Sequence, residues 1–422
     1  MTACPAGKND NSKRRDDPIL RTVSPLFVTE HLFSVMLVLF LTAYLLDQIQ
    51  WTDHGFARQI RDIGLLCNTV NLWLAAVYTA FLAVIRIRKP WAVLPAGVFV
   101  GAVMFLGKFM DFEHFQFFMT LFLALAAYKK DYRRILLCYL IVYLVQLVIS
   151  LAGVPAGLTV DVLKVEKYGI GHSLGFIHPN VTAQSVFLVL VLLWYLYLKR
   201  KRFIAIGLFW AAAAVVYVLC QCRTITIFLA VFPVMAAQLP PSGEGTEPDR
   251  HGKSGRIAGI AAAASPFLFW GLSVVLSLCM DVIQRTRGLP FYNMMGRFVQ
   301  TGIALKKYGF HFLGQKIDCS GRVMMHVNGK TEVLHVLDNA YVTYTIQEGL
   351  LFMLPLLGWL SLAAGLCFRK RNDRLLLISL FMLIYALMER GGLLGYYNPL
   401  FLYPMTVISQ FFCNSDKQID TI

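Results

Sequence analysis

The sequence predicts an all-α integral membrane protein with about 12 transmembrane helices and one large, partly helical external loop before the tenth span. Two observations predict this class. Of the 422 residues, 57% are hydrophobic and only 15% are charged, whereas a soluble domain carries about 25% charged residues. The apolar residues also fall into runs close to the roughly 20 residues that cross a bilayer as a helix. This composition excludes a soluble enzyme, a disordered chain and a nucleic-acid-binding protein.

The apolar runs define twelve candidate spans. Their approximate bounds, in chain order, are 26–46, 63–85, 91–107, 112–128, 135–151, 181–198, 203–219, 225–237, 257–280, 341–368, 375–388 and 399–412. The eighth and the last two are the shortest. We therefore expect a single polytopic domain over residues 1–422, with 281–339 as an external loop and 238–256 as a cytoplasmic linker rich in Pro, Gly and charge.

The orientation follows from the basic residues, which exceed the acidic ones by 15. Alternate loops on one side hold 24 Lys and Arg, and the short loops on the other side hold 7. Short cytoplasmic loops are the ones enriched in Lys and Arg. Both termini are therefore predicted to be cytoplasmic. We read the basic excess as a sign of membrane orientation, and expect no nucleic-acid partner.

Two outer segments are unusually long. Residues 152–180 contain GVPAG and then GIGHSLGFIHPN, so their Gly and Pro content predicts a turn-rich connection to the sixth span. Residues 281–339 are too long for a bare linker, and 293–307 within them has a helical pattern. A long outer loop between spans is where we expect function.

Two arginines on this outer side are candidates for binding an anion. Arg223 lies in QCRTITIF, a tight turn between spans seven and eight, and Arg297 lies in the helical part of the long loop. Each has a simpler interpretation. Arg223 would serve as an anchor that reaches the lipid headgroups, and Arg297 would lie on a solvated helix face.

A second group of candidates borders the sixth and tenth spans. His335 and Asp338 stand at the outer mouth of the tenth span, where Asp338 and Asn339 would equally serve as helix caps. Glu348 falls inside that span, and buried acids in membrane spans usually have a partner or a role. His178-Pro179-Asn180 begins the sixth span, with Asn180 as a possible cap and Pro179 as a helix-start residue.

Four short motifs, in this order and topology, resemble the polysaccharide polymerase and O-antigen ligase superfamily of bacterial membranes. GFIHPNVTAQ is similar to the family's His/Asn-Pro-Asn start of a span, and QCRTITIF to its short Ser/Cys-Arg turn. GRFVQTGIALKKYGFHFLGQ is similar to its Arg-containing helix that runs into Phe-x-Gly. LDNAYVTYTIQEGLL is similar to its His/Asp-Asn-x-Tyr start of the span after the loop.

The last motif favours the polymerase branch of the superfamily. Ligases of this family usually carry His before the Asn, whereas this chain carries Asp338 there and its nearest His, His335, lies three positions earlier. The resemblance therefore implies a glycosyltransferase that joins undecaprenyl-diphosphate-linked repeat units, with a ligase as the alternative. The product would be a surface polysaccharide such as O-antigen or capsule.

The resemblance also implies roles for the residues. Arg223 and Arg297 would neutralise the diphosphate leaving group, and Asp338 or His335 would accept the proton of the acceptor hydroxyl. His178, Asn180, Asn339 and Tyr341 would line the substrate site. Because no Asp-x-Asp lies at an outer membrane end, we expect no metal and no other cofactor. Chain-length regulator and flippase proteins are the further partners implied, at the bacterial cytoplasmic membrane.

A multi-span transporter or flippase is the remaining alternative. Such a protein normally carries ionisable residues deep in several spans and detectable internal repeats. Here Lys108, Asp111, Glu113 and Glu348 are the only candidates, and a transporter leaves the long outer loop unexplained.

Overall fold

The computed structural model describes residues 25–85, 112–128, 130–166, 169–239, 253–285, 292–317, 324–327, 330–333 and 337–408. The third predicted span, 91–107, and His335 lie outside these residues, as do most of the linker 238–256 and the end of the twelfth span.

The described chain is mostly helical. Its α-helices are α1 Pro25–Leu46, α2 His54–Ile85, α3 Phe112–Ala126, α4 Tyr132–Gly153, α5 Pro179–Leu193, α6 Arg202–Val215, α7 Arg223–Gln238, α8 Lys253–Leu278, α9 Met280–Arg285, α10 Tyr292–Tyr308, α11 Ala340–Gln347, α12 Leu350–Arg369 and α13 Asp373–Ala386. Helices α5 and α6 continue through the π-helical turns Trp194–Leu198 and Val216–Cys220. After α13 come the 3-10 turns Arg390–Leu393 and Pro399–Leu402.

Within the described residues, six helical stretches are long and apolar enough to cross a membrane. They are His54–Thr79, Tyr132–Gly153, Pro179–Leu198, Arg202–Cys220, Gly255–Leu278 and Leu350–Arg369. Three shorter apolar helices accompany them, at Glu30–Leu46, Arg223–Gln238 and Pro399–Ile408. The chain is therefore a helical, multi-pass membrane protein, as its composition predicts. Its number of spans and its orientation stay predictions.

Helix starts follow the local capping chemistry. The side chain of Asp131 accepts the N–H of Arg133 at 2.9 Å and caps α4. At α5 the cap is His178 and the first helical residue is Pro179, so the expectation that Asn180 caps this helix is wrong. Pro suits the first helical position because its missing N–H would have no partner there.

The predicted tenth span, 341–368, is not one helix. It is divided into α11 and α12 at Glu348 and Gly349, and Gly349 has a φ of 85°. The loop after α10 fills the break, because the N–H groups of Leu350 and Leu351 donate to the carbonyls of His311 and Phe312, each at 3.0 Å. The apolar run continues across the break, which is why hydropathy alone predicts a single span.

Two antiparallel β-hairpins add to the helical fold within these residues. Strand β1 Leu163–Glu166 pairs with β2 Gly169–His172, and β3 Met324–Val327 pairs with β4 Lys330–Val333. The first hairpin lies in the Gly/Pro-rich segment before α5. Asp161 braces this segment, since its carboxylate lies 2.6 Å from Nδ1 of His172 and accepts the N–H of Leu174 at 2.8 Å.

A cluster of aromatic rings holds together α5, α7 and α13. Phe187 of α5 lies against Phe228 and Phe232 of α7, with ring centroids 5.8 and 5.9 Å apart. Phe381 of α13 packs on the same two rings, at 5.4 and 5.1 Å. This core brings the first residues of α5 and α7 beside the end of α13, where the polar cluster described next is located.

Candidate functional site

The centre of the site is a buried ion pair between Arg297 and Glu389. Nη1 of Arg297 lies 2.6 Å from Oε1 of Glu389 and also donates to the carbonyl of Met388. Nε of Arg297 is 3.6 Å from Oδ2 of Asp338. The two paired side chains are only 19% and 14% exposed. The interpretation of Arg297 as a residue on a solvated helix face is therefore wrong.

Arg297 faces inward because α10 packs closely on α8. Phe298 and Val299, which follow it, are buried. A Cβ on Gly302 would lie 2.3 Å from the carbonyl oxygen of Ser277, so only glycine allows this approach. The hydroxyls of Ser277 and Thr301 are 2.8 Å apart at the same contact. Helix α10 is thus part of the packed protein rather than a loosely attached loop helix.

Glu389 is the residue that sequence reasoning missed. It follows α13 and comes directly before the 3-10 turn Arg390–Leu393. Besides Arg297, it accepts a hydrogen bond from Nδ2 of Asn180 at 2.9 Å. The only feature of the sequence that could have drawn attention to Glu389 was its place beside Arg390 in a short segment between two apolar runs. Nothing in the sequence indicated that this acid meets residues 180 and 297.

His178 and Asn180 reach the site from the start of α5. Nδ1 of His178 accepts the N–H of Asn180 at 3.1 Å, and its Nε2 is 2.8 Å from Nζ of Lys164 on β1. A neutral imidazole has one acceptor nitrogen, so a charged Lys164 competes with the helix cap for the ring's lone pair. Lys164 also lowers the pKa of Glu389, which places it near the ion pair. Lys164 is a second residue that the sequence did not single out.

Asp338, Asn339 and Tyr341 have different surroundings although they are close in sequence. Asp338 faces Arg297 and is 31% exposed. Asn339 is buried and caps α11 by accepting the N–H of Val342 at 3.1 Å, and its Nδ2 donates to the carbonyl of Leu387. Tyr341 is buried, with its hydroxyl donating to the carbonyl of Leu383 at 3.0 Å. The described contacts of Asn339 and Tyr341 thus hold α11 against the end of α13.

Arg223 is the first residue of α7, directly after a tight turn in which Gln221 has a φ of 53°. The neighbouring residue Cys222 shows that this turn is close to the ion pair, because the charge of Glu389 affects its thiol. Burial, and next the carboxylate of Glu389, raise the pKa of the Cys222 thiol to about 12. The turn also touches the first hairpin, since a Cβ on Gly171 would lie 2.9 Å from the carbonyl of Cys220. Arg223 is therefore held at the same end of the helices as Glu389.

Burial and charge act against each other in the ion pair. Burial raises the pKa of the Glu389 carboxyl above its usual value, and the Arg297 guanidinium opposes that rise. For Arg297, burial tends to lower the pKa, but the carboxylates of Glu389 and then Asp338 outweigh it and raise the pKa. Glu389 is thus a carboxylate whose affinity for a proton is increased, next to a cation that remains charged.

The described part of the chain offers little for a metal ion: no group of three or more His, Cys, Asp or Glu residues there has the arrangement of a metal site. What the site offers is a pair of carboxylates, a permanently charged guanidinium and the nearby turn that carries Arg223. Comparisons of the chain with family models, with curated proteins and with solved structures give no match.

Proposed function

We propose that this protein is a membrane glycosyltransferase of the polysaccharide-polymerase type. It joins undecaprenyl-diphosphate-linked oligosaccharide repeat units at the outer face of the bacterial cytoplasmic membrane, without a metal ion. Donor and acceptor are both lipid-linked chains, so the reaction belongs at a membrane face.

The observation that carries this proposal is the meeting of four distant motifs around one ion pair. Asn180 donates to Glu389, Arg297 pairs with Glu389, and Asp338 lies beside Arg297. The turn of Cys222 and Arg223 is close enough for the Glu389 charge to act on the Cys222 thiol. These are the segments whose resemblance to the polymerase superfamily suggested the function. Their convergence supports a shared role, since structural capping alone would need only local contacts.

The chemistry requires a base and a stabiliser of negative charge. The acceptor hydroxyl attacks the anomeric carbon of the donor sugar, and its proton passes to a carboxylate. The bond between that carbon and the phosphate oxygen breaks, and its electron pair leaves with the undecaprenyl diphosphate. Arginine suits the developing charge because its planar fork matches phosphate oxygens and stays charged.

Glu389 joins Asp338 as a candidate for the base. A base is most effective when its pKa approaches the working pH, and burial moves the pKa of Glu389 in that direction. Asp338 is the more exposed of the two and so the easier to reach from outside. Arg297 lies between them, and we assign it the task of orienting both carboxylates and receiving the diphosphate.

A transporter of anionic lipid-linked sugars is a second candidate, favoured by one observation. The break between α11 and α12 leaves two half-helices meeting at Glu348 and Gly349. Interrupted helices of this kind form the binding sites of many secondary transporters. A polymerase consumes the substrate chemically, whereas a transporter moves it unchanged, so product analysis separates the two.

The length of the surface polysaccharide in a deletion strain tests the proposal. Loss of a polymerase leaves single repeat units attached at the cell surface. Loss of a ligase instead leaves long lipid-linked chains that are never attached, and loss of a flippase leaves lipid-linked units that never reach the outer face. Complementation with the wild-type chain should restore the full length distribution. Normal polymer length in the deletion strain would refute the proposal.

A further inference from the structure

A pocket of about 540 Å³ opens at the end of the helices opposite to Glu389. The helical stretch Pro179–Leu198 has 20 residues, so its two ends are about 30 Å apart. Asn180 at its start belongs to the candidate site, and Lys199 directly after it lines the pocket. The pocket is thus separate from the site described above.

Four basic residues line this pocket: Lys130, Arg133, Lys199 and Lys370. Lys130, Lys199 and Lys370 lie in the α3–α4, α5–α6 and α12–α13 connections, and Arg133 is the second residue of α4. All four belong to the basic clusters predicted to be cytoplasmic. The acid on the wall, Asp131, caps α4 and lies 3.9 Å from Arg134. The pocket therefore combines residues far apart in sequence into one basic concavity.

The walls of the pocket are built from fixed polar and aromatic side chains. Tyr195 accepts a hydrogen bond from Nδ2 of Asn372 at 3.0 Å, and Asn372 also caps α13. The rings of Tyr132 and Tyr403 pack edge to face, with centroids 5.0 Å apart. These contacts join α5 to the start of α13, and α4 to the helical segment Pro399–Ile408, beside the cavity.

The positive charges around the pocket are close enough to affect one another's pKa values. Burial, and next the charges of Arg374 and Arg133, lower the pKa of Lys199. Burial also lowers the pKa of Lys130 to about 8, although Glu30 opposes this. Cations held together in a partly buried pocket gain most from a ligand of multiple negative charge, because phosphate oxygens accept charge-assisted hydrogen bonds from several of them.

We propose that this pocket binds a phosphate-bearing anion, held by Lys130, Arg133, Lys199 and Lys370. Two sources share this chemistry: the headgroup of an anionic phospholipid and a free phosphate or diphosphate. Basic pockets between membrane helices on the cytoplasmic side are known to take lipid headgroups. The apolar residues Leu196 and Val407 on the wall suit the acyl region of a lipid.

Binding to the purified full-length chain in uncharged detergent tests this proposal. The lipid arm measures phosphatidylglycerol retained in native mass spectrometry, with phosphatidylcholine as the neutral comparison. The free-anion arm measures inorganic pyrophosphate by titration calorimetry. We expect Lys199→Gln combined with Lys370→Gln to weaken binding about tenfold or more in at least one arm, since two charge-assisted contacts are lost. Loss confined to one arm identifies the source.

Two matched variants separate this site from general charge effects. Lys201→Gln with Arg256→Gln removes two charges predicted to lie on the same face but outside the pocket, and should leave binding unchanged. Lys199→Arg with Lys370→Arg keeps both charges and should bind both probes as the wild type does, whereas loss of binding in this variant as well would trace the effect of the Gln variant to a damaged fold and overturn the charge-based assignment. Binding of both probes by the Gln variant at wild-type affinity, or an equal loss in the control variant, would overturn the proposal.

Discussion

At the scale of single residues, Glu389 carries the largest share of the proposed chemistry. It accepts hydrogen bonds from Arg297 and Asn180 while almost buried, so its charge is balanced by groups from two other elements. A buried ion pair is weak evidence for stability, because the desolvation of two charges offsets their attraction. The pair is more simply explained by function: it keeps a carboxylate and a guanidinium together without solvent between them.

Glu389→Gln should abolish most of the transfer activity while preserving the fold. The amide keeps the shape and still accepts from Arg297, but it no longer takes a proton. We expect the rate to fall about a hundredfold or more, the usual effect of losing a general base. Glu30→Gln is the matched control, because Glu30 pairs with Arg134 at 2.8 Å near the opposite end of the helices and should keep full activity. Protein abundance is measured in parallel.

Asp338→Asn distinguishes the two carboxylates. With Glu389 as the base, we expect Asp338→Asn to cause the smaller loss, because Asp338 then acts mainly through Arg297. A larger loss from Asp338→Asn than from Glu389→Gln would instead identify Asp338 as the base. Wild-type polymer length in both variants at normal abundance would show that neither carboxylate takes the proton, and the site would have to be reassigned.

Arg223→Lys tests whether the side chain of Arg223 binds the diphosphate of the donor. Lysine keeps the charge but loses the two-pronged fork that matches phosphate oxygens. Removing one donor that stabilises developing charge typically costs about a hundredfold in rate, and we expect a loss of this order. Arg285→Lys is the control, since Arg285 ends α9 on an exposed surface. If Arg223→Lys keeps wild-type activity, as the control variant is expected to do, the interpretation of Arg223 as a membrane anchor would be favoured.

At the scale of elements, the break between α11 and α12 depends on one glycine. Gly349 combines a φ of 85° with backbone contacts that leave no room for a side chain: a Cβ would lie 2.3 Å from the N of Gly314 and 2.4 Å from the O of Phe312. The loop after α10 therefore docks into the break only because residue 349 lacks a Cβ. This docking also links α10, which carries Arg297, to α11.

Gly349→Ala should destabilise the protein, and Gly358→Ala should not. Strained backbone of this kind costs about 1–3 kcal/mol, and the collision with the loop backbone adds to it. Gly358 lies inside α12 with nothing within 4 Å of an added Cβ, and alanine favours a helix interior. Thermal unfolding in detergent measures both. An unchanged unfolding temperature for Gly349→Ala would mean that the loop does not fill the break.

Much of the helical framework could be predicted from the sequence, because apolar runs reflect the thickness of a bilayer. The predicted spans 135–151, 181–198, 203–219 and 225–237 lie within helices that the structure describes. The break between α11 and α12 could not be predicted from the sequence, since Glu348 and Gly349 interrupt the apolar run for only two residues. Four candidate residues do lie together near the ion pair: His178, Asn180, Arg297 and Asp338. Glu389 was missed because its partners are non-local, and no pattern along the chain indicates such contacts.

At the scale of the whole molecule, the two polar regions lie at opposite ends of the helices. The basic pocket gathers connections with many Lys and Arg, whereas the short connections at the Glu389 site, apart from the long segment 281–339, carry few. This division agrees with the orientation expected from the positive-inside tendency. It also gives the proposed enzyme a reaction site on one side and an anion site on the other.

Cysteine labelling in intact cells tests this orientation. On a Cys-free background, Leu313→Cys should react with an impermeant maleimide, because Leu313 is exposed in the predicted external loop. Lys201→Cys, in the predicted cytoplasmic linker after α5, should react only after the membrane is permeabilised. The reverse pattern would place the Glu389 site on the cytoplasmic side and exclude transfer at the outer face.

The most direct test of the central claim is transfer by the purified full-length chain. The protein is given a lipid-linked single repeat unit in excess EDTA, and the products are separated by length and identified by mass spectrometry. The account predicts lipid-linked chains of two or more repeats and release of undecaprenyl diphosphate. It also predicts that Glu389→Gln gives far less of both. Substrate that stays one repeat long, with or without added magnesium or manganese, would contradict polymerisation. Elongation that occurs only with those metals would contradict the role assigned to the arginines.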